Sequence, residues 1–201
     1  TVQKMSGKIL TGTILDTTAG DITINVTGKR KTRKVAIENP EIFSFRMANQ
    51  PEIIMYRQDT AIGNFLPVNE QRYFMFGERD AQKKYNPIGF KIMSGLFTFG
   101  VSVLDTYSED TVSHNVMKGL FRGTPGLAPL AACLVFPVLA RLTTVELNLS
   151  KVSKREYLNH ESYLDGYGEI ARKKKIFGSF KYGVGGMLLG FGSYLLFNGL
   201  R

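Results

Sequence analysis

Residues that could do chemistry are few and scattered. His114 and His160 stand alone, with no second histidine or cysteine at ligand spacing, so the zinc chemistry that such clusters support is not expected. Cys133 is the single cysteine and lies among Ala131, Ala132, Leu134 and Val135. Burial there would blunt a thiol's reactivity, so Cys133 reads as packing, and no internal disulfide can form. Asp105, Glu109 and Asp110 offer carboxylate oxygens for a cation but read more simply as a solvated loop. No GxxxxGK[ST] phosphate loop occurs. An ion or proton path, or an embedded enzyme, would need ionisable groups in apolar surroundings, and Lys91, Arg141 and Glu146 are the candidates. Lys91 and Arg141 sit near the ends of apolar runs, where long side chains reach back to water. No catalytic residue, cofactor or metal is therefore expected.

Positive charge is more concentrated. The 201 residues carry a formal net charge of +9, which suits anionic lipid, an acidic partner or nucleic acid. One basic run is Lys29, Arg30, Lys31, Thr32, Arg33 and Lys34. It could contact phosphates or lipid headgroups, but no aromatic residue is interleaved to stack on bases, so nucleic acid is the weaker partner. A solvated hairpin tip is the plainer reading. The other cluster is Arg172, Lys173, Lys174 and Lys175, with Lys181 following.

The elements that would position these groups divide into a polar front and an apolar remainder. Short runs at 7–16, 21–26, 34–38, 42–46 and 53–57 are rich in β-branched residues or alternate with period two; Ile22, Ile24 and Val26 share one face. Ala19-Gly20, Gly28-Lys29, Asn39-Pro40 and Asn49-Gln50-Pro51 supply turns. Five such strands fit a small SH3-like barrel or a bent antiparallel sheet over residues 1–58. Residues 59–86 read as a linker and an amphipathic helix over 68–85, with Asn69 as its cap. Residues 87–201 read as a helical membrane domain with apolar runs at 87–104, 125–140 and 182–200. Pro125, Pro129 and Pro137 should kink or break the middle run. Residues 150–175 read as an exposed helical piece broken near Gly166 and Gly168.

The last run holds no charged side chain. A glycine inside a soluble helix costs about 1 kcal/mol against alanine, whereas in lipid it lets another helix approach closely. Gly186 and Gly190 have GxxxG spacing, with Gly183 and Ser193 a turn to either side on a similar face. These four residues are the expected helix-packing face. Basic residues flank the run, as anchors at a membrane surface do.

Several stretches resemble a group of Bacteroidota cell-envelope proteins of unknown function, which carry a small N-terminal β-domain and C-terminal hydrophobic helices. The likeness lies in Met5 to Asp16, Arg33 to Ile37, Glu41 to Phe45 and Pro51 to Ile54. It continues in Gly77-Glu78, Asp80-Ala81 and Lys83-Lys84-Tyr85, and in Tyr163 to Tyr167 with Ala171 to Lys175. Ser6-Gly7 stands where the group has an asparagine-glycine turn. The resemblance implies a cleaved signal peptide, in keeping with Thr1 at the start of the chain, and a periplasmic β-domain. The lysines and arginines between the runs argue the other way: if all three runs span an inner membrane, they put the N-terminal part in the cytoplasm. An outer membrane, or a run that does not cross, would reconcile the two.

The sequence thus leads us to expect an α+β membrane protein, with a β-domain followed by two to three transmembrane helices. Its expected role is a non-enzymatic subunit that scaffolds an envelope complex, with other membrane subunits and anionic lipid as partners. The alternatives are a binding module for anionic lipid or nucleic acid centred on 29–34, and a small transporter or membrane enzyme component.

Overall fold

The computed structural model describes residues 1–18, 20–27, 32–107, 127–145, 147 and 152–199. The fold is α+β, with two small antiparallel sheets and four α-helices among these residues. The chain divides into two compact units, Thr1–Lys84 with Asn148–Ile170, and Tyr85–Leu147 with Ala171–Arg201.

The first unit holds the strands β1 (Val2–Lys4), β2 (Ile9–Leu10), β3 (Gly12–Thr17), β4 (Asp21–Thr27), β5 (Thr32–Glu38), β6 (Ile42–Phe45) and β7 (Ile53–Ile54). One sheet runs β2-β1-β6-β7 and the other β3-β4-β5. The period-two pattern sets the register of the second sheet: Ile22 pairs with Ile37 and Ile24 with Val35, so one face of β4 is wholly apolar. Val2, Leu10, Ile22, Ile24, Ile37 and Ile42 come from both sheets and make one buried core. The expected first strand is divided at Thr11 into β2 and β3. β1, which the sequence pattern did not single out, pairs with both β2 and β6.

Helix α1 (Val68–Lys84) follows Pro67 and starts one residue before the expected cap Asn69. It buries Met75 beside Phe43 and Tyr56, whose rings stack at 5.7 Å. Gly7 takes a left-handed φ of 71° in the β1–β2 turn, and a Cβ there would lie 2.7 Å from the Met75 carbonyl oxygen. Only glycine meets both demands.

The second unit contains α2 (Ile88–Tyr107), α3 (Ala128–Leu142) and the 171–199 portion of α4 (Glu161–Gly199). α4 is a single helix of 39 residues, so the expected break near Gly166 and Gly168 does not occur. A tertiary contact offsets the propensity cost: Gly166 lies against the Phe74 backbone, where a Cβ would overlap the carbonyl oxygen. α3 likewise continues through Pro137.

One helix is long and apolar enough to cross a membrane among the described residues, over Ile88–Asp105. The expected two to three spans are therefore not confirmed. α3 has only 15 residues, below the roughly 17 that a span needs. Leu200, which closes the apolar run at 182–200, lies outside the described residues.

Candidate functional site

In the second unit the usual placement of side chains is reversed. α2 carries Ser94, Thr98 and Ser102 at four-residue spacing, and all three are fully buried. Four residues is just over one helical turn, so the hydroxyls form a stripe on one face. Each finds a carbonyl acceptor. Ser94 Oγ donates to the Ser179 carbonyl of α4 at 2.8 Å; Thr98 Oγ1 donates to Ser94 O at 2.9 Å; Ser102 Oγ donates to Thr98 O at 2.8 Å. No buried hydroxyl on this stripe is left without a partner, as a dry interior requires. The large apolar side chains instead point outward. Leu96, Leu104, Leu134, Val138, Leu188 and Leu189 are each more than half exposed.

Three of the four expected packing residues of α4 line its contact with α2. Gly183 lies by Ser94 Oγ and Thr98 Oγ1; a Cβ on Gly186 would overlap the Gly95 carbonyl; one on Gly190 would meet Ser102 Cβ at 2.5 Å. The two helices run parallel along this seam, because later positions of α4 meet later positions of α2. Ser193 Oγ donates to Gly190 O at 2.7 Å, within its own helix. α3 joins through Phe136, whose ring lies 5.3 Å from Phe90 and 5.7 Å from Phe97. Cys133 Sγ lies 3.8 Å from Met187 Sδ, a packing contact.

Cationic groups gather where α2 begins. Lys91 Nζ donates to Asn86 Oδ1 at 2.8 Å, and its stem lies over Gly178, where a Cβ would come within 2.5 Å of Lys91 Cε. Lys174 Nζ donates to Tyr85 O at 3.1 Å; burial, and then the charge of Lys91, push its pKa down. Lys175 Nζ donates to Thr143 Oγ1 at 2.7 Å and sits 4.5 Å from the centre of the Phe90 ring. Arg172 and Lys173 are exposed. In the other basic run, Arg33 and Lys34 lie exposed on β5, while Lys29, Arg30 and Lys31 fall outside the described residues.

A separate polar cluster in the first unit went unnoticed in the sequence. Asp80 of α1 is 1% exposed. Its Oδ2 accepts from the Ser153 N–H at 2.8 Å and the Tyr163 hydroxyl at 2.9 Å, and its Oδ1 accepts from Ser153 Oγ at 2.6 Å. Lys84 Nζ donates to Ser153 Oγ at 3.1 Å. Burial alone would raise the Asp80 pKa, but the Ser153 and Tyr163 hydrogen bonds and the Lys84 charge outweigh it and hold the carboxyl below the usual range. Burial, followed by the bond to Asp80, pushes the Tyr163 phenol up, so it remains a neutral donor. Nearby, Gly77 meets the Tyr163 carbonyl so closely that a Cβ would overlap it. His160 stacks on Tyr73 at 3.5 Å, with Nδ1 3.6 Å from Glu70. Every polar atom of the Asp80 carboxylate is engaged, so this cluster holds chain segments together and offers nothing to a substrate.

No group of three or more His, Cys, Asp or Glu side chains that could hold a metal occurs among the described residues. His114, Glu109, Asp110 and Glu146 fall outside them. Asp105 is half-buried near the end of α2, and Arg141 is exposed in the last turn of α3. No protein-family model matches the chain, and no curated protein or solved structure matches it either. The α2 stripe had a sequence signal that the glycine pattern overshadowed: hydroxyl residues every fourth position inside an apolar run.

Proposed function

We propose that the chain is a non-enzymatic integral membrane subunit of a bacterial envelope complex, of the Bacteroidota kind it resembles in sequence. The observation that carries this reading is the inverted second unit, with hydroxyls and glycines inside and leucines outside. In water such an arrangement would forgo most of the hydrophobic stabilisation of roughly 25 cal/mol per Å² of apolar surface buried. In lipid it forgoes little, because helices there associate through close packing and hydrogen bonds. α2 spans the bilayer in this reading, with α3 and the end of α4 packed beside it. The lysines at the start of α2 mark a headgroup boundary. The small barrel-like β-domain docks a partner protein on the periplasmic side.

Alkaline carbonate extraction of membranes, followed by affinity purification in mild detergent, tests this. The chain should stay in the carbonate-resistant pellet and co-purify with other membrane proteins. Release into the carbonate supernatant would overturn the integral reading, and a solitary monodisperse monomer would overturn the subunit reading.

A further inference from the structure

We propose that the outer side of the α2–α4 seam is a binding groove for one anionic phospholipid, its acyl chain in the groove and its phosphate at Lys181. The inference rests on the membrane reading above and names a ligand for the same surface. The groove encloses about 600 Å³, within the usual range for ligand sites of about 300–1,000 Å³. Its walls are Ile92, Leu96 and Phe99 of α2 and Leu189 of α4, so it is lined almost wholly by carbon. Gly185 and Gly186 both line it but differ in what faces them. Gly186 is covered by the Gly95 backbone, as a seam glycine must be, whereas among the described residues nothing beyond its own stretch of helix lies within 4 Å of where a Gly185 Cβ would stand. Among the described residues the missing side chain at 185 serves no contact, and it leaves the groove wall open there.

Charge fixes the class of ligand. Lys181 and Tyr182 line the groove at the end where Lys91 lies over Gly178. Among the described residues no carboxylate forms an ion pair with Lys181 or Lys91. An aromatic hydroxyl and an ammonium beside an apolar slot suit the boundary between acyl chain and headgroup. A neutral hydrocarbon would leave the ammonium unanswered, and a free phosphate would leave the slot empty.

The full chain in detergent, delipidated and then offered equal dioleoyl phosphatidylglycerol and dioleoyl phosphatidylcholine, can be read by native mass spectrometry. Wild type should retain phosphatidylglycerol about fivefold over phosphatidylcholine, the factor that one lysine near an anionic surface contributes. Gly185→Trp and the smaller Gly185→Leu should lose both lipids, because each fills the slot without touching the seam. Lys181→Gln should bind both equally. Gly100→Trp on α2 also points into open space and should behave as wild type. Undiminished retention by both Gly185 variants, or equal retention of the two lipids by wild type, would overturn the groove. Inorganic phosphate displacing the lipid would overturn the acyl contribution. A chain that resists carbonate extraction yet shows no groove effect would refute this inference alone, whereas release by carbonate would remove both readings.

Discussion

Replacing Asp80 with alanine removes the acceptor of three hydrogen bonds at a position that is 1% exposed. The Ser153 N–H and the Tyr163 hydroxyl would be left without it, and a buried donor stripped of its partner costs about 1–3 kcal/mol. Ser153 Oγ keeps the bond it accepts from Lys84 Nζ, but its own hydroxyl proton also loses its acceptor. The sum for the three stranded donors is about 3–9 kcal/mol, drawn towards the lower end by a water entering the space. Asp80→Asn keeps the shape and one carbonyl oxygen, so it should cost about 1–2 kcal/mol, chiefly the charge-assisted share of the bonds. Hydrogen exchange on the full chain reads this locally, because the Ser153 amide is itself one of the donors. At about 1.4 kcal/mol per tenfold, Asp80→Ala should speed exchange of that amide and of the α1 amides around Met75 by about a hundredfold or more. Asp80→Asn should speed it by about tenfold. An alanine variant whose exchange stays within about threefold of wild type would refute the claim that this carboxylate ties α1 to Ser153 and α4.

The pH dependence has a definite sign. The folded chain holds the Asp80 proton less tightly than the unfolded one, so the contribution is complete above the ordinary carboxylate pKa. It is lost as pH falls from there through the lowered folded value, and Ser153 exchange followed between pH 6 and 3 should show that loss in wild type but not in Asp80→Asn. Gly186→Leu drives a side chain into the Gly95 backbone and should lower the detergent melting temperature sharply, by about 2–4 kcal/mol or more of stability, while Gly185→Ala should change it by less than about 0.5 kcal/mol. Ser94→Ala removes the bond to the Ser179 carbonyl and should cost about 0.6–1.7 kcal/mol in the same melt, the range for hydrogen bonds between membrane helices.

Local pattern made part of this molecule legible. Strict alternation at Ile22, Ile24 and Val26 located β4 and its buried face, because a one-residue slip would have turned isoleucines to water. β1 escaped because its three residues carry no pattern of their own; Val2 is buried through distant partners, Leu10 and Phe45. The spacing of Gly183, Gly186 and Gly190 marked a face of α4, but not that α2 would meet it, nor that Gly185 would stay uncovered. Gly166 read as a helix breaker because its compensation comes from Phe74, far away in sequence. Asp80 looked like one more charge on an exposed helix, since its partners Ser153 and Tyr163 are brought to it only by the fold.

The central claim is that lipid covers the outward leucines of the second unit. It can be tested by a spin label at position 96 in a Cys133→Ser background, placed where Leu96 is 62% exposed. With the chain reconstituted in phosphatidylglycerol–phosphatidylcholine vesicles, power-saturation spectroscopy compares collisions with oxygen, which concentrates in hydrocarbon, and with a water-soluble nickel chelate. The account predicts strong oxygen broadening and almost no effect of nickel. A label that meets nickel more readily than oxygen would contradict it.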